Sequence, residues 1–320
     1  MSKKIFSIAV CALTIIVFSS ALFACSAADG SLQIYVPDGA PALTVANLFT
    51  ANKLSGKDVK ITITTGADVQ AKILNGEADV AVCPTNMAAA LYNKGVDYSL
   101  VSANLFGLLY LVGNKPVQSL DELAGSVVHS IGKNNTPEFV FKKILTALGI
   151  DYVDSDTPVQ GKVALRYYGA GGEIIPRLKS GDISYAILGE PAVTKADVTE
   201  LFDLQDLWQT ATNLDGGYPQ AGVFVKNSLL KDGKFTDNLL SALRDNTQFI
   251  ADNADSVAEL LVENGSNDFN GITFTESLIN RCNIRCVKAS DCKTQIEAYF
   301  NAIATVKLSF KLPADGFYGR

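Results

Sequence analysis

The chain has 320 residues, 48% of them hydrophobic, with 33 acidic against 27 basic side chains and a net charge of −6. An acidic chain without a basic block argues against nucleic acid as a partner. The apolar content is that of a globular protein able to form a core without staples, and the length exceeds one average domain, so two domains are expected.

Lys3 and Lys4 precede an apolar run from Ile5 to Phe23, and Ala24 stands before Cys25. A basic start, an apolar stretch and a small residue before the cut make an export signal of residues 1–24. Ser7, Thr14, Ser19 and Ser20 dilute the run, and no other segment approaches the about 20 apolar residues of a spanning helix. Removing the signal takes away two lysines and no acid, leaving 296 residues with a net charge of −8. Leu22-Phe23-Ala24-Cys25 resembles a bacterial lipobox, with Phe23 a less usual choice. That resemblance makes Cys25 the lipid-modified first residue of an exported chain, anchored to the outer face of the cytoplasmic membrane or periplasmic.

The next elements alternate. Ile34 to Val36 reads as a strand that Pro37 ends, Asp38-Gly39-Ala40-Pro41 is a small-residue turn, and Leu43, Ala46, Leu48 and Phe49 suit a helix packed on the strand. Small residues before a helix leave its first amides reachable by a ligand. Val59 to Ile63 is a strand, Gly66 to Asn75 a helix ending at Gly76, and Glu77 to Cys83 a strand running through Pro84-Thr85-Asn86 into a helix from Met87 to Asn93. This alternation implies a largely parallel, covered sheet. An apolar run from Leu105 to Val112 stops at Gly113-Asn114-Lys115-Pro116, a punctuated segment suited to crossing between domains.

The pattern then recurs. Ser126 to Ile131 is a strand, Gly132 to Pro137 its turn, and Glu138 to Leu148 a helix with Val140, Phe141, Ile144, Leu145 and Leu148 on one stripe and Gly149 after it. Ile73 to Val82 matches Leu178 to Ile187 at an offset of 105 residues, which lays Pro84-Thr85 on Gly189-Glu190. Two copies this far apart point to two similar α/β domains rather than a solenoid. A helix runs from Pro191 to about Leu207, the turn-rich Asn213 to Gln220 suits a crossing back, Val223 to Val225 is a strand, and the remainder is mostly helical.

Four cysteines remain after Cys11 and Cys25. Cys83 ends an apolar strand and reads as a small buried hydrophobe. Cys282, Cys286 and Cys292 have no His or fourth Cys nearby, so one disulfide among them is expected in an exported chain, with the pairing open and no metal. His129, the only histidine, lies inside a strand, and no catalytic constellation builds around it. It reads as structural and the chain as no enzyme.

The lipobox at Cys25, Tyr35 to Leu43, Gly66 to Asn86, Gly189-Glu190-Pro191 and Leu312 to Tyr318, in that order, resemble the lipid-anchored solute-binding proteins of bacterial ABC importers. The branch is the nitrate/sulfonate/taurine type, which also includes binders of thiamine precursors. The resemblance implies an α/β, type II periplasmic-binding-protein fold with two α/β lobes around a central ligand cleft. Lobe I would hold 25–113 and 221–320 and lobe II 114–220, with crossings at Gly113 to Pro116 and Tyr218 to Gln220. It also implies a monomer without cofactor that takes a small molecule and docks on a membrane permease.

In such a cleft the lining would come from Asp38, Gly39 and Ala40, from Pro84, Thr85 and Asn86, from Lys133, Asn134, Asn135 and Thr136, from the turn at Tyr168, and from Glu190. Tyr35, Tyr110, Tyr168 and Tyr218 would shape the ligand or stack on it. Tyr35 and Tyr110 can instead be core strand residues, and Glu190 can instead cap the helix after it. Lys133 suits an anion whereas Asp38 and Glu190 suit an amine or donor, so an organic ligand with both donors and acceptors is expected. The alternatives are a cleft enzyme on the same fold, as in pyrimidine-forming enzymes of thiamine synthesis, and a surface adhesin lipoprotein.

Overall fold

The computed structural model describes residues 30–169 and 171–319. The expected export signal and lipid-modified Cys25 lie outside these residues.

Thirteen strands and twelve α-helices are present among the described residues. The first half of the chain gives β1 (Leu32–Pro37), α1 (Ala40–Leu43), α2 (Ala46–Ala51), β2 (Lys53–Leu54), β3 (Lys57–Thr64), α3 (Gly66–Leu74), β4 (Val80–Pro84), α4 (Thr85–Asn93) and β5 (Tyr98–Leu105). Then come β6 (Leu109–Gly113), β7 (Val127–Ile131), α5 (Thr136–Ala147), β8 (Tyr152–Asp154), β9 (Val163–Tyr168), α6 (Gly171–Ser180), β10 (Tyr185–Gly189), α7 (Ala192–Ala196), β11 (Thr199–Asp203) and α8 (Leu204–Thr212). The last part is β12 (Ala221–Lys226), α9 (Gly233–Asp252), α10 (Val257–Glu263), α11 (Glu276–Arg281), β13 (Ile284–Lys288) and α12 (Lys293–Val306).

The strands form a seven-stranded sheet, ordered β13-β5-β12-β4-β1-β3-β2, and a six-stranded sheet, ordered β11-β6-β10-β7-β9-β8. β1 runs parallel to β3 and β4, and β7 parallel to β9 and β10, as covered βαβ units require. The internal repeat is visible as α3 into β4 and α6 into β10, with Gly76 at φ 69° and Gly181 at φ 81° between helix and strand. A left-handed residue ends each helix sharply, and glycine takes that conformation at no steric cost.

One boundary differs from the sequence expectation. β5 belongs to the first sheet, but β6 pairs antiparallel with β10 and β11 in the second. The chain therefore changes sheets at Phe106–Leu108, upstream of the expected Gly113–Pro116. Hydrophobicity carried no mark of this, because β5 and β6 are both wholly buried. The signal is Gly107, at φ 74°, where a Cβ would stand 3.1 Å from the Tyr218 ring. The return passes Tyr218–Gln220, where Gln220 N–H donates to the Leu105 carbonyl at 2.7 Å.

Registers place the two sheets end to end. Ala221 is level with both Pro84 and Leu105 in the first sheet, while Leu109 is level with Gly189 and Tyr110 with Asp203 in the second. Three residues join Leu105 to Leu109, so both sheets turn these strand ends toward one junction. On one side of the junction a single apolar core runs through both sheets. On the other side the first sheet has its own core, around Val36, Leu43 and Leu239, and the second has another, around Tyr110, Ile174 and Leu188.

Candidate functional site

The packed side of the junction holds the turns after β4 and β7. Thr85 Oγ1 donates to the Pro219 carbonyl at 2.5 Å. Thr136 Oγ1 donates to Asn86 Oδ1 at 3.2 Å and accepts from the Tyr299 hydroxyl at 3.1 Å, all three residues being buried. Tyr299 stacks on Tyr218 at 5.8 Å, and Trp208 packs edge-on against both. Tyr218 is fully buried, and its hydroxyl donates to Gln205 Oε1 at 2.9 Å. Thus α12, from the end of the chain, lies against α5 and α8 and helps join the sheets.

Thr85, Asn86, Thr136 and Tyr218 thus lie on the packed side with their side-chain polar groups engaged by Pro219, Gln205, Tyr299 or one another. Asn135 caps α5 through the Thr136 N–H at 2.9 Å, and Asn134 accepts from Lys307 at 2.5 Å. Lys133 faces elsewhere, paired with Asp154 at 3.3 Å on the outer strands.

The other side is charged and open. Glu190 has a buried side chain that caps α7: its carboxylate accepts from Thr194 N at 3.1 Å and Thr194 Oγ1 at 3.2 Å. The same carboxylate takes Arg281 Nε at 2.7 Å, while Arg281 Nη2 reaches Glu200 at 2.7 Å. The guanidinium lies over the Tyr110 ring at 4.1 Å, a stacking contact for which its flat shape suits it. Arg281 comes from α11 beside the first sheet, whereas Glu190, Glu200 and Tyr110 belong to the second, so one side chain ties the two.

Asp38 is held by its neighbours. It accepts from Gly39 N at 2.8 Å, Asn267 N at 2.8 Å, Asp268 N at 3.3 Å and the Ser266 hydroxyl. Gly39 is at φ 86°, and a Cβ there would meet the Asp268 carboxylate at 3.0 Å. Burial, and then the nearby Asp38 charge, push the Asp268 carboxyl above its ordinary pKa. Lys195 of α7 donates to the carbonyls of Asn267 and Asp268, both at 3.1 Å, a second tie between the sheets. Ala40 is buried against Leu105, Leu108 and Ala221.

Beside Arg281 lies a cavity of about 620 Å³, within the about 300–1,000 Å³ of small-molecule sites. Tyr110, Asp203 and Gln205 line it from the second sheet and Gly107 from the crossing, while Glu276, Ser277, Asn280, Arg281 and Asn283 face them from the α11 segment. Asp203 caps α8 by accepting from Gln205 N at 2.7 Å, and it takes Gln205 Nε2 at 2.7 Å as well. Burial raises its pKa above the ordinary carboxylate value, with Asp206 and Glu200 adding to the rise and the Gln205 N–H opposing it.

Of the residues expected from sequence, only Tyr110 lines this cavity, with Glu190 one contact behind it. Asp203, Gln205, Glu276, Asn280 and Arg281 were missed: β11 and the turn from Asp203 into α8 stand where one helix from Pro191 to about Leu207 is expected from sequence, and α11 follows a helix rather than a strand. The run Asn280-Arg281-Cys282-Asn283, polar groups at the end of a helix, is the signal that was available.

Two tyrosines sit apart from the cavity. Tyr35 lies under Lys72 of α3, with the ammonium 5.7 Å from its ring. The Tyr168 hydroxyl is 3.2 Å from His129 Nδ1. Burial, and then Arg166 and Arg177, lower the His129 pKa to about 4, so the ring is neutral and packed within the sheet. The expected disulfide is not formed. Cys282 is buried in the first sheet's outer core with Cys286 packed against it, whereas Cys292 is buried in the core on the opposite face, and all are free thiols. Among the described residues no cluster of His, Cys, Asp or Glu is placed to hold a metal, and no helix is long and apolar enough to cross a membrane.

No family model and no curated protein matches the sequence. Solved structures do match the fold. An ABC transporter from Parabacteroides distasonis is 24% identical with a TM-score of 0.75, over 91% of this chain and 99% of that one. The periplasmic aliphatic sulphonate binding protein SsuA from Escherichia coli is 14% identical with a TM-score of 0.66, over 92% of each chain. The alkanesulfonate-binding protein SsuA from Xanthomonas axonopodis pv. citri, bound to MOPS, is 13% identical with a TM-score of 0.62, over 90% of this chain and 96% of that one. The chain thus has the two-lobed α/β fold of the type II periplasmic solute-binding proteins.

Proposed function

We propose that the protein is an exported solute-binding protein, anchored by lipid at Cys25, that delivers a small organic solute to an ABC importer. The observation that carries this reading is the cavity walled on one side by Tyr110, Asp203 and Gln205 of the second sheet and on the other by the α11 segment beside the first, with Arg281 on its wall. The lobes move about Phe106–Leu108 and Tyr218–Gln220, and solute that touches both walls favours the closed arrangement, which docks on the permease. The role is binding rather than catalysis: the cavity wall carries no nucleophile–base pair, and His129 is buried elsewhere in the second sheet. The folds matched by this chain include ABC-importer components and sulfonate binders, which supports the assignment.

A thermal-shift screen of small solutes on the mature chain tests it, together with mass spectrometry of material released on denaturing natively purified protein. One solute class should raise Tm in a concentration-dependent way, by mass action on the folded state. A flat response with no co-purified small molecule rejects the reading. Separately, Cys25→Ser should move the protein from the membrane fraction to the soluble one; a variant that stays on the membrane rejects the anchor.

A further inference from the structure

Four carboxylates stand at the cavity around one guanidinium. Glu190 and Glu200 share Arg281, so that cation is already committed. Asp203 and Glu276 line the open volume and enter no ion pair among the described residues. The hydrogen bonds to Asp203 Oδ1 come from the uncharged backbone and side-chain amide of Gln205. Lys195, the other cation in the ties described above, is engaged with two backbone carbonyls, and Arg285 lies over the Phe106 ring and donates to the Gly216 carbonyl. Ser277 and Asn280, also on the wall, have no side-chain hydrogen bond among the described residues.

Such a wall repels an anion and leaves two charged acceptors and two neutral polar groups for a ligand. Resting on the solute-binding reading above, we propose that the cavity takes an organic solute bearing a positively charged nitrogen, held at Asp203 and Glu276, and that it excludes sulfonates. The remaining polar atoms of the solute meet Ser277 and Asn280. Partial burial and the neighbouring acids Asp206 and Glu200 raise the Asp203 pKa, as expected of a carboxylate without a cationic partner. A volume of about 620 Å³ admits a cation with a carbon skeleton rather than a bare ammonium ion.

The test is calorimetry and thermal shift on the mature chain with 1,4-diaminobutane and choline, set against butane-1-sulfonate and 2-hydroxyethanesulfonate. At least one cation should bind, neither sulfonate should, and the double variant D203N/E276Q should lose about tenfold or more in affinity for the cation. Its far-UV spectrum and melting, read without solute, separate lost binding from lost folding, and E276Q alone on the exposed helix provides the second variant. Binding of a sulfonate but no cation, or a co-purified solute without a cationic nitrogen, overturns the inference and keeps the solute-binding reading. A cation that binds the double variant as well as the native chain also overturns it. If no probe binds and nothing co-purifies, both fall.

Discussion

On one side of the junction Trp208, Tyr218 and Tyr299 pack ring against ring, with Thr136 and Asn86 closing a neutral chain of hydrogen bonds. On the other, Arg281 reaches across to Glu190 and Glu200 beside an open cavity. The first side is held by aromatic burial, about 150–250 Å² for each ring, at about 25 cal/mol per Å². The second is held by charges that water can solvate when they part, and its Arg281 side chain is 30% exposed. Separating the aromatic side exposes apolar surface with nothing to replace the lost contacts, whereas separating the ionic side exchanges ion pairs for hydration. The packed side is therefore the stiffer of the two, and movement between the sheets favours the charged side.

The largest test of that contrast is Tyr299→Ala. It removes the stack on Tyr218 and leaves Thr136 without its donor, and it should cost about 3–5 kcal/mol by urea denaturation. Trp208 is the only tryptophan in the chain and touches Tyr299, so its fluorescence reports the same transition from inside the packed side. A loss under about 1 kcal/mol would mean that the sheets are joined elsewhere.

Arg281→Ala should cost less, about 2–3 kcal/mol. The variant leaves the Glu190 carboxylate buried with only Thr194 for a partner, which alone argues for a larger figure, but the partial exposure of Arg281 lowers it. Glu200→Gln, at a carboxylate 35% exposed, should cost under about 1 kcal/mol. If Arg281→Ala destabilises as much as Tyr299→Ala, the two sides are equally structural and the contrast fails.

These two sides were not equally legible from sequence. β1, β4, β7 and β10 and the helices after them follow local periodicity, capping and glycine positions, so Asn86, Thr136 and Tyr218 of the packed side are legible, whereas Trp208 and Tyr299, on helices that no turn motif marks, are not. Even there, the turn residues look from local sequence like open ligand contacts. That Thr136 bonds Asn86, 50 residues away, is a property of the closed chain and not of either turn. Glu190 was readable both as a cap and as a site residue, and it serves the cap while pairing with Arg281, 91 residues on. The cavity wall was the hardest part. Asp203 and Arg281 sit at the ends of ordinary amphipathic helices, and only the sheet change at Phe106–Leu108 brings those ends together. That change was hidden because burial is continuous through Leu105 to Val112.

Asp203→Asn gives the smallest effect and the finest division between the two sides. Burial raises the Asp203 pKa in the folded protein, so between the ordinary carboxylate range and that raised value the folded state binds more protons than the unfolded one. Stability from this group is thus fullest at low pH and declines as pH rises through the window, and at pH 7 the charged side chain is a net cost. Asparagine keeps the cap on Gln205 N without the charge. The variant should therefore be more stable than the native chain at pH 7, by no more than about 1 kcal/mol after solvent screening, and the gain should vanish as pH falls to about 4. Thermal melts of both proteins across that range decide it. Thr136→Val, on the neutral side, should instead show a loss that does not vary with pH. A gain for Asp203→Asn that disappears in acid marks a carboxylate kept at the cavity at the expense of stability; a loss at pH 7 would make Asp203 a structural cap, and the charged side would then hold the sheets together as the aromatic side does.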